Sequence, residues 1–249
     1  MGQAARAEPP RYVFGGREVT LPVVVRKASS ASATYVVPSR EAQAIVGGSD
    51  LVVAEVAPGR TLFSIAAIDY QDNDLGDYDE VSLAFFVRPR GERALVPYVG
   101  NIAAFFRTKL GTYIHRLPVN QSFTRDAGCG IWGFPKTVEE ITIDDRDGRS
   151  QCTLTSEGRH VLTFSVPRGG KQRLPDTEMV TYSRIDGVTH RTSFVSGAAG
   201  VGFHLGGAEL ALGDHPIAQE LGRLGLPKRA LLSVWMEAMH GRFEAPIPI

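Results

Sequence analysis

Cysteine is scarce in this chain: 249 residues carry only Cys129 and Cys152, too few for a disulfide framework. Neither sign of charge predominates, since 27 Lys and Arg balance 27 Asp and Glu. No basic block stands out either, which argues against nucleic acid or an anionic membrane as the main partner. No apolar run approaches the ~20 residues that a membrane-spanning helix needs. The opening MGQAARAEPP has no apolar signal core, so the expected location is the cytoplasm. The six histidines show no metal-ligand spacing, and no G-x-S-x-G nucleophile elbow is present. Gly197 to Gly207 is glycine-rich but has no phosphate-loop Lys-Ser/Thr. Gly128-Cys129-Gly130-Ile131-Trp132-Gly133 spells G-x-G-x-x-G, yet Pro135 follows where a dinucleotide site needs a helix. The expectation is a protein with no metal and no organic cofactor.

What is present reads as an ordinary soluble domain, 43% apolar and 22% charged. Residues 1–11 are rich in Ala, Pro and charge and are expected to form a disordered tail, with 12–249 as one domain. Short β-branched or apolar runs dominate: 20–26, 51–56 and 62–68. Val81, Leu83, Phe85 and Val87 alternate with Ser82, Ala84, Phe86 and Arg88, the period-two pattern of a strand with one face in a core. Two hairpins are expected, one around Glu157-Gly158-Arg159 and one around Asp186-Gly187, a dipeptide suited to a type I′ turn. Helices are predicted over 39–46, with Ser39 as cap, over 214–224, with Asp214 as cap, and over 99–109 as a segment covering a pocket. The segment 231–243 fits helix or strand. Hairpins in series without alternating helices predict a mainly β (α+β) fold, an antiparallel β-barrel or a sandwich with a few peripheral helices.

Lys136 is the strongest candidate for chemistry. It closes the run Gly128-Cys129-Gly130-Ile131-Trp132-Gly133-Phe134-Pro135-Lys136, an amine set among apolar bulk. Desolvation disfavours the charged form of an amine. A neutral amine attacks carbonyls and yields a Schiff base. The plain alternative is a surface lysine whose stem lies on aromatics. Cys129 stands nearby, with no base to mark it as a nucleophile.

The segment Gly130 to Lys136 resembles the Schiff-base loop of the acetoacetate decarboxylase family. Phe14-Gly15-Gly16-Arg17-Glu18 is similar to that family's early motif with an active-site arginine. Leu75-Gly76-Asp77-Tyr78-Asp79-Glu80 is similar to the segment ending in its active-site glutamate. The resemblance runs from about Tyr12 to about Phe243. It favours the barrel over the sandwich, a strand over 231–243, a homo-oligomer, and a small oxo acid as substrate.

It also implies Lys136, Glu80 and Arg17 as catalytic residues. Arg17 would hold a substrate carboxylate or Glu80, and Glu80 would assist proton movement. Trp132, Phe134 and Phe85 are expected to line the substrate site. Two departures stand out: Thr137 where a second lysine is expected, and Ser64 where a second carboxylate is expected. The implied reaction is decarboxylation of a β-keto acid through a lysine iminium. Aldol, dehydration or cyclisation chemistry on 2-oxo acids by the same iminium is the second reading, and a non-catalytic ligand-binding barrel is the third.

Overall fold

The structure is a computed structural model that describes residues 10–48, 50–92 and 96–249. The expected tail over 1–11 falls mostly outside these, and Arg11 already begins a strand. The chain starts with a hairpin of β1 (Arg11–Phe14) and β2 (Arg17–Thr20). The long strand β3 (Val23–Pro38) follows, then α1 (Ser39–Val46), β4 (Leu51–Val53), β5 (Glu55–Ala57), β6 (Arg60–Asn73) and β7 (Tyr78–Pro89). Next come α2 (Val99–Phe106), β8 (Gly111–Val119), α3 (Ser122–Trp132) and β9 (Lys136–Val138). The second half holds β10 (Glu140–Arg146), β11 (Arg149–Ser156), β12 (Arg159–Pro167), β13 (Gln172–Ile185), β14 (Val188–His204) and β15 (Glu209–Leu212). It ends with α4 (Pro216–Arg223), β16 (Leu232–Phe243) and β17 (Ile247–Pro248).

Seven strands close into a barrel in the order β7-β6-β3-β16-β14-β13-β8, with β8 pairing back onto β7. All contacts in this ring are antiparallel except β8 with β13, a short parallel pairing at Thr112 and Tyr113. A second sheet of four strands, β10-β11-β12-β15, packs against the outside of the wall. The closed barrel with peripheral helices is the expected architecture, and 232–243 is a strand.

Both hairpins form as predicted, with Glu157-Gly158 and Asp186-Gly187 in the left-handed region that their tight turns demand. The caps of two helices differ from expectation. Ser39 is the first helical residue, Pro38 takes the cap, and the Ser39 hydroxyl has no partner among the described residues. His215, not Asp214, caps α4, its ring nitrogen accepting from the Ile217 N–H, with Pro216 in the first turn.

Two faces of the same wall build two apolar regions. Outward side chains such as Tyr35, Phe63, Ile65, Leu83 and Phe85 are fully buried against Leu154, Leu162 and Phe164 of the second sheet. Inward side chains at one end of the barrel, among them Val23, Val25, Tyr78, Trp132 and Phe134, form a floor. Between the floor and the other end lies a cavity of about 490 Å³.

Candidate active site

Lys136 is placed by a short helix and a glycine stop. The chain of α3 ends at Gly133, whose φ of +63° puts it in the left-handed region favoured by glycine, and its N–H returns to the Cys129 carbonyl. A Cβ at Gly133 would also strike the Arg184 carbonyl, so the stop is fixed twice over. Phe134 and Pro135 follow, and Lys136 enters β9, paired in parallel with Leu117 of β8. Its stem lies across α3 at Gly128, where a Cβ would sit 2.5 Å from the lysine Cδ. Glycine in this helix weakens the helix and makes room for the lysine.

The amine meets one carboxylate. Lys136 Nζ donates to Glu80 Oε2 at 2.6 Å, and the two side chains are 4% and 8% exposed. Glu80 stands on β7 two residues after Tyr78, so both project inward. The Tyr78 ring lies under the amine at 5.0 Å, and Tyr70 stacks on Tyr78 at 4.6 Å. The Tyr70 hydroxyl donates to Glu80 Oε1 at 3.5 Å, the long limit of such a bond. Burial pushes both phenols well above the ordinary tyrosine range, and the nearby Glu80 charge adds to it. Both tyrosines therefore keep their protons at neutral pH and serve as donors.

Four of the six expected site residues come together. Lys136, Glu80, Trp132 and Phe134 all line the cavity, and the two rings stack at 5.8 Å on its floor. The indole N–H donates to the Glu244 carbonyl, and the Trp132 carbonyl accepts from the Ser183 hydroxyl.

Phe85 is a correction. It faces the second sheet, packs on Phe63 at 4.9 Å, and does not line the cavity. The inward residue is its neighbour Phe86, because the apolar phase of the strand fills the outer core while the mixed phase Ser82, Ala84 and Phe86 faces the cavity. Arg17 is a second correction: it is exposed on the β1-β2 hairpin with its guanidinium 3.8 Å over the Phe123 ring, and it does not line the cavity. An exposed guanidinium on an edge hairpin keeps its hydration, which an inward turn would forfeit.

Of the departures, Ser64 lines the cavity and Thr137 is exposed. Tyr70 and Tyr78 had no local signal as site residues, although Tyr78 lies within the motif that ends at Glu80.

The rest of the lining is small or apolar. Ser30, Ser32, Thr34, Ser64 and Ser82 present hydroxyls, while Ala66 and Ala84 leave the volume open. Lys136 and Glu80 are the only charged side chains lining it among the described residues. The arrangement offers a nucleophilic amine, one carboxylate in hydrogen-bond contact with it, and phenolic donors, all at the closed end of a mostly apolar chamber.

No curated protein matches the sequence. Among solved structures, the fold is similar to acetoacetate decarboxylase from Legionella pneumophila, with a TM-score of 0.66, 17% identity, and coverage of 92% of this chain and 87% of that one. It is also similar to the enduracididine biosynthesis enzyme MppR complexed with pyruvate, with a TM-score of 0.60, 15% identity, and coverage of 99% and 93%. An acetoacetate decarboxylase-like enzyme from Sphingomonas wittichii RW1 follows at a TM-score of 0.56, 14% identity, and coverage of 98% and 100%. At such identities these likenesses show the fold. The family profile for acetoacetate decarboxylase (ADC) matches residues 10–242, nearly the whole chain, and the chain belongs to that family.

Proposed function

We propose that this protein is a carboxy-lyase that decarboxylates a β-keto acid through an iminium on Lys136. The observation that carries the reading is the Lys136–Glu80 contact at 2.6 Å, buried at the closed end of a cavity with no other charged lining among the described residues. Glu80 accepts a proton from the ammonium within this hydrogen bond and leaves the amine free to attack the ketone carbon. The Glu80 carboxyl returns its proton to the carbinolamine hydroxyl, which leaves as water, and the iminium forms. The bond between the α-carbon and the carboxylate then breaks, its electron pair flows into the iminium, and carbon dioxide leaves an enamine. The enamine carbon takes one proton, drawn from solvent through Glu80, and water hydrolyses the new iminium to release the ketone and restore the amine.

The lining also supports loss of the carboxylate over its retention. An enzyme that keeps a substrate carboxylate through the reaction gains from a fork of donors such as arginine. Arg17 lies outside the cavity, and among the described residues the lining offers a carboxylate no cation beyond Lys136 itself. A carboxylate held beside Glu80 without such a partner is poorly stabilised, and its departure as neutral carbon dioxide relieves the repulsion.

Ser64, in place of an expected second carboxylate, keeps open the rival reading of aldol or dehydration chemistry on pyruvate. Borohydride trapping separates the possibilities. Reduction with acetoacetate or pyruvate present is followed by peptide mass spectrometry, and carbon dioxide is measured in parallel. An adduct on Lys136 with carbon dioxide released from the β-keto acid supports the proposal. An adduct only with pyruvate, with condensation onto an added aldehyde and no carbon dioxide, replaces it with the rival. Folded protein that traps nothing leaves a binding barrel.

A further inference from the structure

The amine and the opening of the cavity lie at opposite ends of one strand. Along β7 the inward row runs Glu80, Ser82, Ala84, Phe86. At about 3.3 Å per residue, the six steps from Glu80 to Phe86 cover roughly 20 Å. A barrel strand tilt of about 40° reduces that to roughly 15 Å along the axis. Phe86 meets Phe105 of α2 edge-on at 5.1 Å, and Phe105 meets Phe106 at the same distance. Phe106 is 67% exposed and Phe203 is 41% exposed, yet both line the cavity, so this end opens to solvent. The mouth is therefore framed by phenylalanines, and α2 contributes an apolar helix none of whose residues is buried.

The cavity is too large and too varied for a four-carbon acid. About 490 Å³ lies in the range of roughly 300–1,000 Å³ that takes drug-sized ligands. Acetoacetate on Lys136 would leave most of that space as water against aromatic rings. Between floor and mouth, β3, β6 and β7 present the five hydroxyls of Ser30, Ser32, Thr34, Ser64 and Ser82 on one side. A plain alkyl chain sliding past them would strip their water and offer no hydrogen bond, which offsets the gain from burying its own methylenes.

The geometry points to an extended 3-oxo acid: a keto acid head at Lys136, an oxygen-bearing middle beside the hydroxyls, and an apolar tail at the α2 mouth. At about 1.2 Å per bond counted from the ketone carbon on the amine, the roughly 15 Å to the mouth takes about 12 bonds, so an acid of on the order of fifteen carbons reaches into it. The inference rests on the iminium chemistry proposed above and adds the substrate class to it.

The test compares acetoacetate, 3-oxohexanoate, 3-oxodecanoate and 3-oxopentadecanoate, with 5-hydroxy-3-oxodecanoate beside the third. Each is assayed for decarboxylation and for borohydride trapping on Lys136. Full burial of a methylene raises kcat/KM about fourfold, and stripping water from the hydroxyls offsets part of that gain, so the ten-carbon acid exceeds acetoacetate by a factor of about 100. The 5-hydroxyl adds a further factor of about three to ten, and Ser64→Ala with Ser82→Ala removes that increment. Ala84→Leu narrows the passage and lowers the ten-carbon to four-carbon ratio by about tenfold or more. Phe106→Ser, at an exposed position that the fold does not depend on, lowers the fifteen-carbon to four-carbon ratio by roughly fivefold.

Acetoacetate that traps and turns over while kcat/KM stays flat or falls with length overturns the extended substrate and leaves the chemistry standing. No gain from the 5-hydroxyl in the parent protein overturns the oxygen-bearing middle. Absence of any adduct, with decanoate binding about 100-fold tighter than butyrate, overturns the lysine chemistry and leaves the selectivity of the chamber standing.

Discussion

The two faces of the barrel wall follow opposite rules on the same strands. Facing outward, Tyr35, Phe63, Ile65, Leu83 and Phe85 are large, fully buried and packed on a second sheet. Facing inward between them, Ser32, Ser64, Ala66, Ser82 and Ala84 are small and leave a chamber. Protein interiors are normally filled to crystal density, so a cavity this size persists only where the side chains around it are too short to close it. Rigidity is supplied from outside the wall, which leaves the inside free to hold substrate. Phe85 and Phe86 make the contrast in one step of sequence: the first is core, the second frames the mouth. The two faces should therefore fail differently when cut, one in turnover and the other in stability.

Removing the amine has the largest expected effect. Lys136→Met lowers turnover by a factor of about 10⁴ or more, because no other group lining the chamber can form the iminium. It also leaves Glu80 buried without its partner, a loss of about 3–5 kcal/mol in stability. Lys136→Met combined with Glu80→Gln should recover most of that stability and none of the activity. Chemical denaturation and a single-turnover assay read the two quantities separately, and a double variant no more stable than the single one would contradict the pairing. Glu80→Gln alone keeps a hydrogen-bonding group but no base, and turnover falls by a factor of about 10²–10⁴.

The outer face gives the opposite signature. Phe85→Ala opens a hole against Phe63 and the second sheet and costs about 3–5 kcal/mol in unfolding experiments, with the surviving folded protein keeping its substrate preference. Phe86→Ala costs less stability, since Phe86 is only partly buried, and it shifts preference away from long substrates. Equal stability losses at the two positions would erase the distinction drawn between the faces.

How much of this was legible in the sequence follows from the same contrast. Alternation along 81–88 shows that β7 has two unlike faces, but it does not show which faces the barrel interior. The usual inference, apolar side inward, fails here because the wall is covered from outside as well. Lys136, Trp132 and Phe134 were readable because they share one compact loop, and Glu80 through its own segment. Helix α3 was not, because Gly128 and Gly130 lower helix propensity and read as turn. Their reason is tertiary: a Cβ at Gly128 would meet the Lys136 stem, and one at Gly130 would meet the Phe14 ring. Tyr70 joins the site only because β6 pairs with β7 at Tyr78, and strand pairing of that kind leaves no local mark. The exposed seat of Arg17 is likewise set by where its hairpin docks.

Gly128 gives a smaller and more specific test. Gly128→Ala adds one methyl 2.5 Å from the Lys136 Cδ, and the flexible stem moves aside. Turnover falls roughly 10- to 100-fold from the misplaced amine, while alanine's better helix propensity holds stability within about 1 kcal/mol. A loss of folding in place of activity would mean that the glycine serves the helix packing and not the lysine.

The smallest effect comes from a second carboxylate bound by cations, on the outer side. Burial would raise Glu220 of α4, but hydrogen bonds from His115 and Arg116 of β8, with their charges, outweigh it and bring it down to about 2. Glu80 meets Lys136 inside the chamber, whereas Glu220 accepts from His115 and Arg116 and does not line that chamber, which suits it to fixing a helix on the wall. The folded value lies below that of the unfolded chain, near 4.3. Folding therefore favours the ionised form. Its contribution is complete above about pH 5 and fades as pH falls through about 2, below which both states are protonated. Arg116 is partly exposed, so solvent screening limits the contribution to roughly 1–2 kcal/mol. Urea unfolding between pH 7 and 3 should show a shallower acid loss in Glu220→Gln than in the parent chain. Parallel curves would show that the carboxylate is protonated alike in both states and that α4 is held by Ile217 and Leu221 alone.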